Sequence, residues 1–207
     1  MVRGMRKISE GAEADIYESD IFGIRCILKS RRRKPYIASE LDEWLRRQRT
    51  RSEARSMGIA SSSGVNVPKL LFVNKGSIWM ERADGVTLNE YGHIGNTVLS
   101  KIGSSLAKLH NTGVIHGDFT KANIMLGRDG NPCIIDFGLS SQSTSIEEKA
   151  LDLLLLKRSL SHSEFAISIS SYMHDSDNGD EIAKRLKEIE MRGRYQNRSI
   201  AMREEQV

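Results

Sequence analysis

Two short segments constrain this chain more than anything else in it: His116-Gly117-Asp118-Phe119-Thr120-Lys121-Ala122-Asn123 and Asp136-Phe137-Gly138. They are separated by little more than a hairpin, two short strand-like runs about the turn Gly127-Arg128-Asp129-Gly130. Asp136 follows the apolar strand residues Ile134 and Ile135. An Asp that merely capped a turn, or an Asn that merely sat in a loop, would not bring a second Asp in this order and context. The combination is far more specific than either segment alone.

In order and spacing the segments resemble the phosphoryl-transfer core of protein kinases. On that resemblance Asp118 orients or deprotonates the attacking hydroxyl or water, and Asn123 holds a second magnesium through its amide oxygen. Asp136 holds the magnesium that bridges the nucleotide phosphates; an ion that keeps several waters needs few protein ligands. Phe137 is expected to pack into the lobe interface, and Gly138 to permit the turn. Gly117 stands where the commoner form has an Arg that answers a phosphorylated activation loop, so regulation of that kind is expected to be missing.

The rest of the chain reads as two lobes. Residues 6–30 are β-rich, with Ile8 leading to Gly11, then Ile16-Tyr17 and Ile24–Leu28. From about Ala38 to Met57 the pattern turns helical, with an apolar stripe through Leu41, Trp44, Leu45, Ala54 and Met57 that Gly58 and Ser61-Ser62-Ser63-Gly64 end. A hairpin follows, Leu70–Val73 and Ser77–Glu81 about Asn74-Lys75-Gly76. Helices are expected at 98–110, 146–160 and 180–192, with a weaker helical stretch at 163–173. The expectation is an α+β, small bilobal fold with a β-rich N-lobe over residues 1–82 and a helical C-lobe over 83–207 that ends in a basic tail. At 207 residues the chain is shorter than a conventional protein-kinase domain, which needs roughly a quarter more.

Further site residues follow from position. Lys29 ends the strand run where kinases place the lysine that holds the nucleotide phosphates; Arg31, Arg32, Arg33 and Lys34 come after it and are expected to point into solvent. Glu53 is the helix carboxylate expected to pair with Lys29, with Glu40 and Glu43 as alternatives. In the nucleotide loop the three glycine positions fall on Ser9, Gly11 and Ala14, so only Gly11 is kept, and the segment Glu10–Asp15 is acidic. Met80 would back the adenine pocket, with the backbone of Glu81 to Ala83 at the base edge. Asp152 matches a buried Asp that braces the catalytic loop. Between Gly138 and Asp152 lie only 13 residues and no A-P-E motif, so the activation segment is truncated and the platform that positions peptide substrates is expected to be absent.

Composition narrows the setting. No apolar run approaches the ~18 residues of a membrane span, and Met1–Lys7 leads into polar sequence, which predicts no secretory leader. Cys26 and Cys133 lie in strand-like runs without metal or redox spacing and read as small buried hydrophobes in a reducing, cytoplasmic compartment. The net charge is +4. Its basic clusters, 31–34, 46–51 and a C-terminal set of Lys184, Arg185, Lys187, Arg192, Arg194, Arg198 and Arg203, read either as solvated helix faces or as contacts to RNA phosphates.

Taken together these residues resemble the small kinase/ATPase subunit of the KEOPS (EKC) complex, the PRPK/Bud family of atypical protein kinases. The resemblance rests on Glu10-Gly11-Ala12-Glu13-Ala14, Lys29, Arg49–Arg55, His116-Gly117-Asp118-x-Thr120, Asp136–Ser140, Lys149–Leu153 and Arg192-Gly193-Arg194. It implies ATP and Mg2+ as cofactors. It also implies association with the KEOPS threonylcarbamoyl-transferase subunit and the other KEOPS subunits, contact with tRNA through the complex, and support of threonylcarbamoyladenosine formation at tRNA position 37. The alternatives are a small-molecule kinase of the aminoglycoside or choline type, for whose substrate-binding insertion there is no room, a RIO-type kinase, expected to lack D-F-G, and a pseudokinase scaffold, which has no need of Lys29, Asp118, Asn123 and Asp136 together.

Overall fold

Three consecutive strands, β1 (Val2–Glu10), β2 (Ala14–Ile21) and β3 (Ile24–Arg31), form a meander that leads directly to the site. In this computed structural model the backbone is described for residues 2–204 and side chains for residues 4–192. Helix α1 (Ser39–Ser62) crosses from β3 to the hairpin of β4 (Leu70–Val73) and β5 (Ser77–Glu81). The five strands make one antiparallel sheet in the order β1-β2-β3-β5-β4, so β3 is central. Because alternate side chains leave opposite faces of a strand, Lys29 and Arg31 share a face of β3.

The buried side of α1 is not the expected apolar stripe. Leu41 and Trp44 are exposed, and the buried residues are Asp42, Thr50, Glu53, Ser56, Met57 and Ala60. The buried carboxylates have polar partners: Asp42 accepts from Lys34 N–H at 3.0 Å and from Arg46 Nε at 2.8 Å, and Glu53, further along the helix, meets Lys29 and Arg31 of β3. The helix also passes through Gly58 and Ser61, and ends one residue before Ser63, with Gly64 at φ 76° just beyond.

The second lobe is helical. It comprises β6 (Val86–Thr87), α2 (Asn96–Asn111), β7 (Val114–Ile115), β8 (Ile124–Leu126), β9 (Pro132–Ile134), β10 (Ser141–Gln142), α3 (Ile146–Ser159), α4 (His162–Asp175) and α5 (Gly179–Glu204). The weak pattern at 163–173 is a full helix because Ser161 and Glu164 form a capping box: Ser161 N–H donates to Glu164 Oε2 at 2.8 Å and Glu164 N–H to Ser161 Oγ at 3.3 Å. Helices α2 and α4 touch closely at Gly103, where a Cβ would lie 1.9 Å from Ser168 O. Apolar residues of α2 (Leu99, Ile102, Leu106), the catalytic segment (Phe119, Phe137) and α3 (Leu153) fill the common core. Of the basic tail, Arg194, Arg198 and Arg203, with Tyr195-Gln196-Asn197, lie outside the residues whose side chains are described.

No described helix is long and apolar enough to cross a membrane. Cys26 and Cys133 are both buried and free.

Candidate active site

The hairpin β8–β9 pairs Ile124 with Ile134, which carries the chain from Asn123 back to Asp136. Asn123 Nδ2 donates to Asp118 Oδ2 at 2.8 Å and to Asp118 O at 2.9 Å. That use of the amide nitrogen fixes the flip and leaves the amide oxygen facing away from Asp118, free for a cation. The carboxylate of Asp118, in turn, is held at one oxygen and not neutralised by any ion pair among the described residues.

Asp136 has φ 59°, a left-handed conformation that an L-residue adopts at some cost and that recurs at functional turns. Its Oδ1 accepts from Lys29 Nζ at 2.6 Å and from Gly138 N–H at 3.1 Å. Burial alone would raise the Asp136 carboxyl. The Lys29 ammonium beside it and the Gly138 hydrogen bond outweigh burial and hold it below the usual carboxylate range. Gly138 leaves room for this pair: a Cβ there would stand 2.9 Å from Asp136 Oδ1 and 3.0 Å from Lys29 Nζ.

Lys29 is buried and makes a second bond, to Glu53 Oε1 at 2.6 Å. Glu53, 2% exposed, is the carboxylate that α1 delivers; Glu40 and Glu43 are exposed and do not approach Lys29. Arg31 is a correction to the expectation that residues 31–34 point into solvent. It belongs to β3, is 7% exposed, and donates from Nη2 to Glu53 Oε2 at 2.6 Å. Its side of β3 was legible from its i+2 spacing to Lys29, a strand period that the reading of the cluster as a solvated run passed over.

Below the catalytic segment, Asp152 of α3 is 1% exposed. Its Oδ2 accepts from His116 N–H at 2.6 Å and its Oδ1 from Gly117 N–H at 2.8 Å. Burial holds His110 and His116 below the usual imidazole range, so each is neutral near pH 7. His110 then accepts Tyr172 O–H at Nδ1 (2.7 Å) and donates from Nε2 to Asp152 Oδ2 (3.2 Å). His116 donates from Nε2 to Ile135 O at 3.1 Å. Its ring packs on Phe137, with centroids 4.8 Å apart, and edge-on to Phe119 at 5.5 Å. Gly117 has φ 79°, and a Cβ on it would meet Leu139 O at 2.5 Å. No Arg side chain fits at that position without moving the backbone after Gly138.

The nucleotide loop is a tight turn, not an open glycine loop. Ser9 is still within β1, Ala14 opens β2 and is buried, and Gly11 N–H donates to Ala14 O at 3.0 Å. Its acidic groups are matched by cations. Arg32 bonds Asp15 at 2.6 Å and also reaches Glu10, while Lys34 bonds Glu13 at 2.9 Å. Met80 is buried in β5, between Ile27 and Leu70. Beyond it, Glu81 N–H is taken by Lys69 O and Arg82 N–H by Arg25 O, each at 2.9 Å. Glu81 and Ala83 also line a cavity of about 1010 Å³ with Arg25, Lys69, Arg128 and Cys133, from which Lys29, Asp118 and Asp136 are absent.

Comparison with known proteins places this geometry in a family. A family model described as the RIO domain matches residues 29–161. The match includes Asp136-Phe137-Gly138, so a D-F-G segment does not separate this chain from RIO-type proteins, contrary to expectation. A "KEOPS complex subunit Bud32" of Pyrococcus abyssi is 36% identical, over 94% of this chain and 98% of that one. A "Probable bifunctional tRNA threonylcarbamoyladenosine biosynthesis protein" of Methanobrevibacter smithii is 41% identical over 91% of this chain; the chain spans 36% of that longer relative. Among solved structures, a Rio2 kinase–ADP/Mg2+–phosphoaspartate complex from Chaetomium thermophilum has the same fold. Its TM-score is 0.66 at 18% identity, over 95% of this chain and 72% of that one.

Proposed function

The chain belongs to the RIO-domain family and to the family of the KEOPS subunit Bud32, and from that premise we propose that it is an ATP-dependent kinase/ATPase subunit. In this reading it works with a threonylcarbamoyl-transferase subunit, as part of a KEOPS complex, in the formation of threonylcarbamoyladenosine on tRNA. The observation that carries the reading is the junction at Lys29. Residues 107 positions apart in the chain meet there, and the same ammonium is shared with Glu53. A buried lysine held between two carboxylates is a poised phosphate ligand: an incoming triphosphate replaces Asp136 as its partner while Glu53 keeps it in place.

The donor set fits a nucleotide-borne magnesium. Among the described residues no group of three or more His, Cys, Asp or Glu could hold a metal unaided. Magnesium bound with ATP uses one or two protein oxygens and takes the rest from phosphate and water. Asp136, whose carboxylate is kept ionised, and the amide oxygen of Asn123 would hold it. When bound, the ion neutralises charge on the phosphates and orients them.

The chain's own residues do the remainder. Asp118, fixed by Asn123, orients the acceptor hydroxyl or water and takes its proton as the acceptor oxygen bonds the γ-phosphorus and the bond from that phosphorus to the β-phosphate oxygen breaks, releasing ADP. Asp152 keeps the His116–Asp118 backbone rigid, so that this oxygen is already placed. Ala83 N–H, which makes no hydrogen bond among the described residues, is the donor offered to the adenine edge, with Met80 behind it. Ser9, Gly11 and Ala14 bring the turn over the phosphates. Water, or a serine or threonine, is the acceptor that the short segment after Gly138 leaves accessible.

The test is reconstituted tRNA modification with wild type, Asp118→Ala and Asp136→Ala. Each variant is expected to bind its partner subunit but to lose Mg-ATP turnover and stimulation of modification. Modification that proceeds equally well without the chain would sink the proposed role. Full turnover by Asp136→Ala would sink the site.

A further inference from the structure

The Lys29–Glu53 pair has a second cation, and that cation reaches the nucleotide loop. Arg31 holds Glu53 Oε2 at 2.6 Å while Lys29 holds Oε1 at 2.6 Å, so both oxygens of one buried carboxylate are fixed. The other arm of the Arg31 guanidinium lies 3.9 Å from Glu13 Oε2, in the turn between β1 and β2. Glu13 is also held by Lys34 at 2.9 Å and by Arg49 of α1, and its carbonyl accepts from Arg32 N–H at 3.2 Å. These groups enclose a cavity of only about 50 Å³, with Asp42 and Arg46 on its far wall.

A strand–helix ion pair needs one cation per carboxylate. Here Lys29 and Arg31 balance Glu53 and Asp136 without help from the loop. Glu13 is thus an additional anion, set among Arg31, Lys34 and Arg49, three cations that repel one another whenever the loop lifts away. The arrangement favours the seated loop, and it joins that seat to Glu53 through a single planar side chain. Arginine suits this because its fork serves two carboxylates at once; an ammonium is a point charge and serves one direction well.

We propose that Arg31 is a positioning residue for phosphoryl transfer, linking loop to lysine through Glu13–Arg31–Glu53–Lys29. Seating of the nucleotide loop and placement of the phosphate lysine then draw on the same guanidinium, one arm for each. When phosphate draws Lys29 away from Asp136, Arg31 keeps Glu53 from following, and the same guanidinium keeps the loop down. This rests on the reading of Lys29 as the phosphate ligand, and it adds residues that reading does not require.

The experiment is steady-state Mg-ATP turnover and direct Mg-ATP binding by the full chain, for wild type, Glu13→Gln, Arg31→Lys, Arg31→Gln, the Glu13→Gln/Arg31→Lys double variant and Asp136→Ala. Arg31→Lys keeps the charge but not the span, and should lower kcat about tenfold with a small change in thermal midpoint; Arg31→Gln should lower it further. Glu13→Gln should raise the KM for ATP about three- to tenfold and leave kcat nearly intact, since it frees the loop and spares Lys29. In the double variant the effect of Glu13→Gln should shrink, because its route to Glu53 is already cut.

Equal effects of Glu13→Gln in both backgrounds overturn the relay, as does full kcat in Arg31→Lys. Glu13 is half-exposed, so Glu13→Gln folds even where an Arg31 variant does not, and an unchanged KM there is decisive against the proposal. The Asp136→Ala arm separates the two levels. An inactive Asp136→Ala beside fully active Arg31 variants removes the relay alone, whereas an active Asp136→Ala removes the site beneath it.

Discussion

Asp152 is where the structure makes its sharpest demand on stability. Three N–H groups end on its carboxylate: His116 N–H, Gly117 N–H and the Nε2–H of neutral His110. None has another acceptor among the described residues, and Asp152 and both histidines are buried. Asp152→Ala strands all three. At about 1–3 kcal/mol for each unsatisfied buried donor the sum is about 3–9 kcal/mol. Water entering the space left by the carboxyl offsets part of this, so about 4 kcal/mol is the working figure, within the range for breaking a buried charged network. For a chain of this size that is a fall of about 8–16 °C in thermal midpoint.

Asp152→Asn is the finer probe. Its amide oxygen can serve the donors now on Oδ2, but its NH2 must then face Gly117 N–H, donor against donor. A loss of about 2 kcal/mol, or about 4–8 °C, is expected. Mg-ATP turnover should fall about tenfold as the Asp118 backbone loosens. Calorimetric unfolding and turnover on the same preparations check both, with Glu43→Ala, which removes an exposed pair to Lys75, as the near-neutral control. If Asp152→Asn matches wild type in midpoint and turnover, the carboxylate does not brace the catalytic loop and the energetic reasoning fails.

Three further outcomes are expected. His110 and His116 are held neutral by burial, with folded pKa values below the unfolded ~6.5. The unfolded chain therefore binds protons that the fold refuses: the contribution is fully present above about pH 6.5 and is lost as pH falls through the folded values. Urea midpoints should decline from about pH 7.5 to 5.5, and a flat profile would contradict the neutral assignment. Gly138→Ala places a methyl against Asp136 Oδ1 and Lys29 Nζ where φ is not positive, so turnover should fall by at least about tenfold while the midpoint moves by less than about 2 °C. Gly103→Ala should do the reverse. Its Cβ would lie 1.9 Å from a backbone carbonyl of α4, so stability should drop by about 1–3 kcal/mol or more in urea unfolding, with the turnover of the folded fraction kept.

How much of this was legible depended on whether the signal was local. The hairpins, the helix starts and the two catalytic segments are short-range patterns. Leu70–Val73 and Ser77–Glu81 were read to the residue because a Gly turn fixes both ends. The polar interior of α1 was not legible, because hydrophobic periodicity assumes that a helix buries its apolar side. Glu53 is buried against Lys29 and Arg31 of β3, Asp42 against Lys34 N–H and Arg46, and Thr50 bonds back to Arg46 O, and hydrophobic periodicity registers none of these partners. Arg31 is a different case: its i+2 spacing to Lys29 puts it on the same face of β3, and only its place in a basic run makes it read as a surface residue. His110 and Tyr172, 62 positions apart, gave no signal at all: a lone His in an amphipathic helix reads as an ordinary core or surface residue until its partner is known.

The stretch after Gly138 is bonded along much of its length. Ser140 N–H donates to Phe137 O, Ser141 and Gln142 pair with Ile115 and Val114 as β10 on β7, and Ser143 N–H donates to Gly113 O at 2.8 Å. Ser145 then caps α3 by accepting from Glu148 N–H. Ser141, Gln142 and Ser143 are therefore tied to β7 and the turn before it, much of the remaining segment is held by its own short turns, and at Gly117 there is no arginine to receive a phosphate. Order–disorder of this segment needs slack, and these bonds leave little of it. The element with a charge-held seat and an open side is the turn at Glu13, its carboxylate half-exposed among three cations. Partly exposed pairs of this kind weaken as salt screens them. Turnover governed by loop seating should thus show an ATP KM that rises with ionic strength in wild type and much less in Glu13→Gln, while kcat stays level in both. A salt dependence unchanged by Glu13→Gln would place the control elsewhere.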